Sequence, residues 1–167
     1  TREELKTYEK VVGFNLWQVE KDYLQHLTLL FLYQRIKKEL IFKGGTALQK
    51  AFGLNRFSLD LDFTSTNNKI EEVLDEVAKD ITKFGFPSSL GKMEKTPISK
   101  TIKIKIKGPL YEGTEKSVTT LRLEISLRKD LIKPPTTKEI VPVYPDLRTY
   151  IATIMAVSYT HLTLPTN

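Results

Sequence analysis

The sequence contains no cysteine, and it contains only two histidines. Without cysteine the chain can form no disulfide bond, no thiolate metal site and no cysteine nucleophile. His26 has no obvious partner in the sequence, which favours a packing or surface role over a metal-ligand role. The absent thiols fit a reducing compartment, and we therefore expect a cytoplasmic protein.

Long apolar runs are also missing. No stretch approaches the ~20 apolar residues of a membrane span, and the amino end lacks the pattern of a signal peptide. The first residues, Thr1 and Arg2, include no initiator methionine, so we expect a fragment or a processed chain. The length of 167 residues suits one domain, and the net charge of +6 is compatible with a nucleic-acid partner without locating a site for it.

The central stretch of the sequence, residues 42–63, combines a glycine turn with an acidic strand. Gly44 and Gly45 permit a tight bend after a strand, and Thr46 is the predicted N-cap of a short helix that ends at Gly53. Backbone N–H groups at the start of a helix attract anions. The turn therefore predicts an anion site.

The acidic strand follows the short helix. Apolar residues alternate with Ser58, Asp60 and Asp62, which therefore share one face of the predicted strand. Carboxylates two residues apart on a strand lie roughly 6.5–7 Å apart, and they repel each other unless a cation lies between them. The spacing predicts a site for a divalent cation beside the anion site.

The motif GGTAL followed by RFSLDLD resembles the core motif of the AbiEii-type nucleotidyltransferases. This family is a branch of the polymerase-β-like superfamily and includes toxins of type IV toxin–antitoxin systems. The resemblance implies an α/β (α+β) fold, with a small, mixed, twisted sheet flanked by helices. It also implies Mg²⁺ or Mn²⁺ as cofactor and an NTP as substrate. The family suggests an RNA such as tRNA as acceptor, with a protein side chain or a small molecule equally open, and the partners would include a cognate antitoxin but no membrane.

A third acid lies on the strand predicted over residues 117–129. Glu124 is on the polar face of this strand, together with Arg122. The resemblance implies that Glu124 completes a metal cage with Asp60 and Asp62. The alternative is that Glu124 pairs across strands with Arg122, with Arg128 or with the lysines of residues 99–107.

Three further residues have two interpretations each. Lys43 either contacts a phosphate, together with Gly44, Gly45 and Thr46, or is a solvated lysine at the strand end. Arg56 either contacts a phosphate, pairs with one of the aspartates or supports the loop. Ser58 either donates to a phosphate oxygen or the metal shell, or has a structural role.

The remaining elements follow from periodicity. Helical spacing predicts helices over residues 17–38 and 70–84, and Glu20 and Asp22 suit the dipole at the start of the first. Strict alternation predicts a strand over 99–107, whose lysines either bind nucleic acid or solubilise the sheet. We predict a short strand over 141–144 and a helix over 147–156 with Asp146 as cap.

The last residues break this pattern. Residues 157–167 resemble a translated sequencing adapter, so we predict a nucleotidyltransferase core over 1–156, truncated at its C-terminal end, and a non-native tail. The predicted activity is Mg²⁺-dependent transfer of a nucleotidyl group. The fragment itself could then lack this activity. The alternatives are a metal-dependent phosphodiesterase or glycosyltransferase, or a non-catalytic basic module that binds nucleic acid.

Overall fold

A computed structural model describes residues 1–54, 56–66, 69–127 and 134–155. Over these ranges five α-helices accompany one mixed sheet of eight strands, so the predicted α/β class is confirmed. None of the helices in these ranges has both the length and the apolar character needed to cross a bilayer. The predicted tail, residues 157–167, lies outside the described residues.

The helices are α1 (Arg2–Lys6), α2 (Glu9–Val12), α3 (Leu16–Arg35), α4 (Gly44–Phe52) and α5 (Ile70–Phe84). The strands are β1 (Leu40–Lys43), β2 (Asp60–Ser65), β3 (Ser88–Leu90), β4 (Glu94–Lys95), β5 (Ser99–Ile106), β6 (Thr119–Ser126), β7 (Thr136–Ile140) and β8 (Tyr150–Ile154). Helix α3 starts with a reciprocal cap, in which the side chains of Asn15 and Gln18 each accept a hydrogen bond from the other's backbone N–H.

The strand order is β3-β5-β6-β2-β1-β8-β7, and β4 pairs with the outer part of β5. Strand β2 lies at the centre, antiparallel to β1 and parallel to β6. Strand β1 is antiparallel to β2 on one side and parallel to β8 on the other. The three strands β1, β2 and β6 therefore bring distant parts of the sequence side by side.

Alternation gives the central strands two different faces. One face is apolar and fully buried against α3 and α5, with core residues such as Phe42, Phe63, Leu123 and Ile104. The opposite face carries polar side chains, and Lys103 on β5 is exposed there. The core thus holds the sheet from one side and leaves the polar face available for chemistry.

Two predicted elements near the end of the described chain are wrong. Residues 141–144 are not a strand, since the strand lies earlier, at Thr136–Ile140. Residues 150–154 form strand β8 instead of a helix, because this β-branched and aromatic segment pairs with both β1 and β7. Asp146 does not cap a helix, and its carboxylate accepts a hydrogen bond from Tyr23 Oη at 2.5 Å.

The central unit also differs in detail from the prediction. Helix α4 begins at Gly44, so Lys43 is the N-cap residue and Thr46 lies inside the first turn. Strand β2 begins at Asp60, so Ser58 precedes it. Glycine allows an early start here because Gly44 has φ +80°, which lets the chain turn directly from β1 into the helix.

Candidate active site

The predicted acids lie on neighbouring strands of the polar face. In the sheet register Asp62 is opposite Lys43 on β1 and opposite Glu124 on β6. Glu124 is in turn opposite Thr101 on β5. Because paired residues in a sheet point to the same side, these four side chains form one row across four strands. One step along the strands, Asp60 is opposite Arg122.

The glycine turn closes directly over this row. A Cβ atom placed on Gly44 would lie 2.6 Å from Asp62 Oδ2, closer than the 3.0 Å below which real Cβ atoms are essentially never found. Gly44 therefore has two reasons to be glycine, the positive φ and the contact with Asp62. The glycine turn and the acidic strand are separated by the rest of helix α4 in the sequence, and the fold brings them into van der Waals contact.

Asp62 is the least satisfied of the three acids. Its Oδ1 atom is buried and has no hydrogen-bond partner among the described residues. Burial, together with the charges of Glu124 and Asp60, raises the pKa of Asp62 to about 6, and Lys43 partly opposes this increase. A carboxylate with a raised pKa and a free oxygen is stabilised by a nearby cation.

Arg122 contacts the other two acids. Its Nη2 lies 2.8 Å from Glu124 Oε1, and its Nη1 lies 3.5 Å from Asp60 Oδ2. Glu124 therefore does pair with Arg122, but this contact runs along β6 and not across strands, and Glu124 is also adjacent to Asp62. Arg128, the other arginine considered as a partner, lies outside the described residues. In the described part of the chain no three histidine or carboxylate side chains are already arranged as a metal site.

The residues nevertheless fit a hard divalent cation. Three carboxylates supply only oxygen donors, which Mg²⁺ prefers, and one of these oxygens has no hydrogen-bond partner among the residues that the structure describes. Arg122 contacts two of these acids, so its ion pairs with Asp60 and Glu124 would have to break before all three carboxylates could coordinate one ion. Asp60, Asp62 and Glu124 are therefore the side chains that would hold the ion.

The start of α4 provides donors beside the acids. Its first-turn N–H groups have no partners within the helix, and a nine-residue helix adds its dipole to them. The Thr46 hydroxyl donates to the carbonyl oxygen of Asp60, so this side chain ties α4 to β2. The Ser58 hydroxyl faces Gly45, since a Cβ there would lie 3.5 Å from Ser58 Oγ.

Helix α3 supports the same segment from the core. Gln25, fully buried, donates through Nε2 to the carbonyl oxygens of Ser58 and Leu59, at 2.9 and 3.2 Å. These bonds fix the residues that lead into the acidic strand. Nothing in the local sequence pattern predicted this role for Gln25, because its partners lie more than thirty residues away.

The structure does not bring Arg56 to the acids. Its side chain is exposed and forms no ion pair within the described ranges. A different cation, Lys21 on α3, lies close enough to Asp60 to interact electrostatically. Burial lowers the pKa of Lys21, and the charge of Asp60 opposes that decrease. Lys21 was missed because helical periodicity shows only that it is polar and says nothing about the strand it approaches.

A cleft of about 280 Å³ opens beside the row of acids. Its walls include Lys43, Gly44, Asp62, Thr101 and Glu124. Small-molecule sites usually measure about 300–1,000 Å³, so the cleft has room for part of a nucleotide, such as its phosphates. The anion donors, the acids and the space for a ligand thus coincide.

Comparison with known proteins agrees with this arrangement. The family described as "Nucleotidyl transferase AbiEii toxin, Type IV TA system" matches residues 30–162. This range includes the glycine turn, the acidic strand and Glu124. No curated protein matches the chain.

Solved structures share the fold. The nucleotidyltransferase toxin MenT4 from Mycobacterium tuberculosis H37Rv superposes with a TM-score of 0.62 at 22% identity, over 95% of this chain and 55% of that one. The crystal structure of JHP933 from Helicobacter pylori gives a TM-score of 0.55 at 21% identity, over 84% of this chain and 53% of that one. The chain therefore spans about half the length of these two proteins.

Proposed function

Because the chain belongs to the AbiEii nucleotidyltransferase toxin family, we propose that the protein transfers a nucleotidyl group from an NTP to an acceptor. A divalent cation, Mg²⁺ or Mn²⁺, is the cofactor in this proposal. The observation that carries it is the contact between the glycine turn and Asp62, in register with Glu124. That contact supports an anion site and a cation site within one cleft, which is what a metal-bound triphosphate requires.

The residues in and beside the cleft have separate roles in this proposal. Asp60, Asp62 and Glu124 hold the cation. The backbone N–H groups of Gly44, Gly45 and Thr46 bind the phosphates. Lys43 and Ser58 add a charge and a hydroxyl donor at the two sides of the turn, since Lys43 is in register with Asp62 and Ser58 Oγ faces Gly45.

The reaction breaks one bond and forms another. An oxygen of the acceptor bonds to the α-phosphorus, the bond from that phosphorus to the bridging oxygen breaks, and pyrophosphate leaves with the bonding electrons. A bound divalent cation would lower the pKa of an attacking hydroxyl and offset the charge of the pyrophosphate. The protein's own contribution is to hold the phosphates in position, which supplies most of the rate in such transfers.

The test is transfer of label from NTP by the full-length protein. We expect label from the α-phosphate, and none from the γ-phosphate, to reach the acceptor, with release of pyrophosphate. Asp62→Asn should reduce transfer by about 10²–10³-fold, the usual cost of losing one electrostatic stabiliser. Asp75→Asn is the matched control, because Asp75 is an exposed carboxylate on α5, outside the cleft.

Two outcomes would contradict the proposal. Equal transfer by Asp62→Asn and wild type would remove Asp62 from the site. Transfer of a sugar from a sugar nucleotide, or hydrolysis of a phosphodiester without pyrophosphate release, would favour the other metal-dependent activities. Binding of RNA that is steep in salt and unaffected by Asp62→Asn would favour a non-catalytic module.

The acceptor and the regulator are part of the same proposal. An RNA such as tRNA, or a protein, supplies the acceptor group, and the net charge of +6 favours RNA. The family's description includes a toxin–antitoxin system, so we propose a cognate antitoxin that suppresses the activity. Labelling reactions supplied separately with total RNA and with total protein would distinguish the two acceptor classes.

A further inference from the structure

Arg122 occupies a specific place between the carboxylates of the cleft. It is two residues before Glu124 on β6, so both side chains lie on the polar face. The parallel register places Asp60 directly beside it on β2. The guanidinium therefore reaches one acid along its own strand and one across the strands, at 2.8 and 3.5 Å.

These contacts are easily exchanged. The side chains of Arg122, Asp60 and Glu124 are 44%, 40% and 43% exposed, so solvent screens both ion pairs. Ion pairs of this kind contribute little to stability. A divalent cation brings twice the charge and coordinates oxygen directly, and it would replace the guanidinium at both acids.

The charges around the cleft indicate which partner the Arg122 guanidinium would take if a cation displaced it from the acids. Three carboxylates face three cations, Arg122, Lys43 and Lys21, so their formal charges cancel. A bound divalent cation changes this to two formal positive charges. Lys103 on β5 lies opposite Arg122 and repels it as well. A released guanidinium in such surroundings is stabilised by an anion, and its planar fork of donors matches phosphate oxygens.

We propose that Arg122 is a nucleotide-binding residue that exchanges partners. It holds Asp60 and Glu124 when no cation is bound, and it contacts a phosphate of the nucleotide once a divalent cation takes the acids. This inference rests on the proposed function. It adds that the protein alone binds the cation weakly and that nucleotide and cation bind with positive cooperativity.

The first measurement is the affinity of the full-length protein for Mn²⁺ in the absence of nucleotide, monitored by electron paramagnetic resonance. Arg122→Gln should bind Mn²⁺ about 5-fold more tightly than wild type, since it removes a competing cation next to the ligands. Lys103→Gln is the matched control, because it removes the same charge from the cross-strand neighbour without a carboxylate contact. We expect less than a 2-fold change for Lys103→Gln.

The second measurement is binding of an NTP analogue with a non-hydrolysable α,β-bridge at saturating Mn²⁺. Arg122→Gln should bind this analogue about 10-fold more weakly, while Lys103→Gln stays close to wild type. Arg122→Lys keeps the charge but loses the fork, and should recover only part of the affinity. The exchange of partners is overturned if Arg122→Gln leaves Mn²⁺ affinity unchanged or weaker, or leaves the analogue's affinity unchanged.

Asp62→Asn separates failure of this inference from failure of the proposed function. If Asp62→Asn binds Mn²⁺ as wild type does, or if wild type binds none even with the NTP analogue present, the cation site itself is wrong and both ideas fail. If Asp62→Asn loses Mn²⁺ while Arg122→Gln behaves like Lys103→Gln, the cation site stands and only the role of Arg122 is wrong. Circular dichroism of each variant checks that the fold is intact.

Discussion

Two clusters of charged residues each include part of the β1-α4-β2 unit, and they differ in burial and in hydrogen bonding. The cleft cluster (Asp60, Asp62, Glu124 and Arg122) is partly exposed and includes a carboxylate oxygen without a partner. The buried cluster (Asp22, His26, Lys50 and Tyr144) is almost completely shielded, with Asp22 and Lys50 side chains 5% and 0% exposed.

The buried cluster satisfies its acid from three directions. Asp22 accepts hydrogen bonds from Lys50 at 2.6 Å, from Gln49 at 3.2 Å and from Tyr144 at 2.6 Å. Burial works against ionisation of Asp22, but Lys50 and the hydrogen bonds together hold its pKa below the usual value. The contrast shows that carboxylates with enough donors serve the fold, and carboxylates with too few are available to a ligand.

The largest effect is expected from a substitution that disrupts the buried cluster. Lys50→Met leaves Asp22 buried without its cation, and should lower the free energy of unfolding by about 3–5 kcal/mol. Chemical denaturation measures this, with Arg35→Met as control, because Arg35 pairs with Asp80 at the surface and should cost less than about 1 kcal/mol. If both variants lose the same stability, burial is not what distinguishes the two clusters.

The next effect tests the contact between turn and acid. Gly44→Ala and Gly53→Ala both put a side chain at positive φ, +80° and +70°, and each should cost about 1–2 kcal/mol of stability. Within the described part of the chain, a Cβ at Gly53 meets nothing within 4 Å, whereas one at Gly44 collides with Asp62. Only Gly44→Ala should therefore also reduce transfer per folded molecule, by about 10²-fold.

One outcome for these two glycine variants would contradict the prediction. Equal transfer by the two variants, once corrected for folded protein, would mean that the approach of Gly44 to Asp62 has no part in the reaction. The correction needs an independent measure of folded fraction, such as the near-ultraviolet signal of Trp17.

A third prediction concerns pH and the buried cluster. Burial, with repulsion from Lys50, lowers the pKa of His26 to about 3, and the charge of Asp22 only partly opposes this. The unfolded chain binds a proton at His26 below pH ~6.5 and the folded chain does not. The free energy of unfolding should therefore decrease as pH falls from ~6.5 towards 3, by up to about 1.4 kcal/mol per unit.

His26→Gln isolates this contribution. The variant loses the hydrogen bond between His26 Nδ1 and Tyr150 Oη, so it should be less stable at pH 7. Its stability should then change less steeply with pH between 4 and 6.5 than that of wild type. Parallel curves for the two proteins would show that His26 is protonated in the fold.

The smallest effect is a gain. Asp62→Asn removes a charge that burial, Glu124 and Asp60 all disfavour, so the free energy of unfolding at pH 7 should rise slightly even as transfer is lost. Asp75→Asn should change neither quantity measurably. Thermal unfolding of both variants at one pH provides the comparison, and a clear loss of stability in Asp62→Asn would place Asp62 among the structural acids.

The parts of the molecule that follow local periodicity were predictable. Helix α5 coincides with the predicted range of residues 70–84, and strands β5 and β6 lie within their predicted ranges. The shared face of Asp60 and Asp62 also follows from the period of a strand, wherever β2 begins. The lateral order of the strands does not follow from it, so the neighbourhood of Asp62 and Glu124 came from the family resemblance.

The errors arise where a distant partner decides the structure. Residues 150–154 have a pattern that fits a helix, but pairing with β1 and β7 makes them a strand. Glu20 and Asp22 suit a helix dipole by position, yet both are buried. Glu20 accepts from the Leu110 N–H and the Thr119 hydroxyl, and Asp22 pairs with Lys50. The partners are at least 28 residues apart in the sequence, so local patterns cannot reveal these pairs.

The parallel pairing of β1 with β8 has a consequence for how the protein is made. Strand β1 stays an open edge until the ribosome has delivered residues as far as Ile154, long after β2, α5 and β6 have emerged. Unpaired strand edges invite association with other chains. The nascent polypeptide thus passes through an interval in which six of the eight strands have been synthesised while β1 still lacks its neighbour on one side.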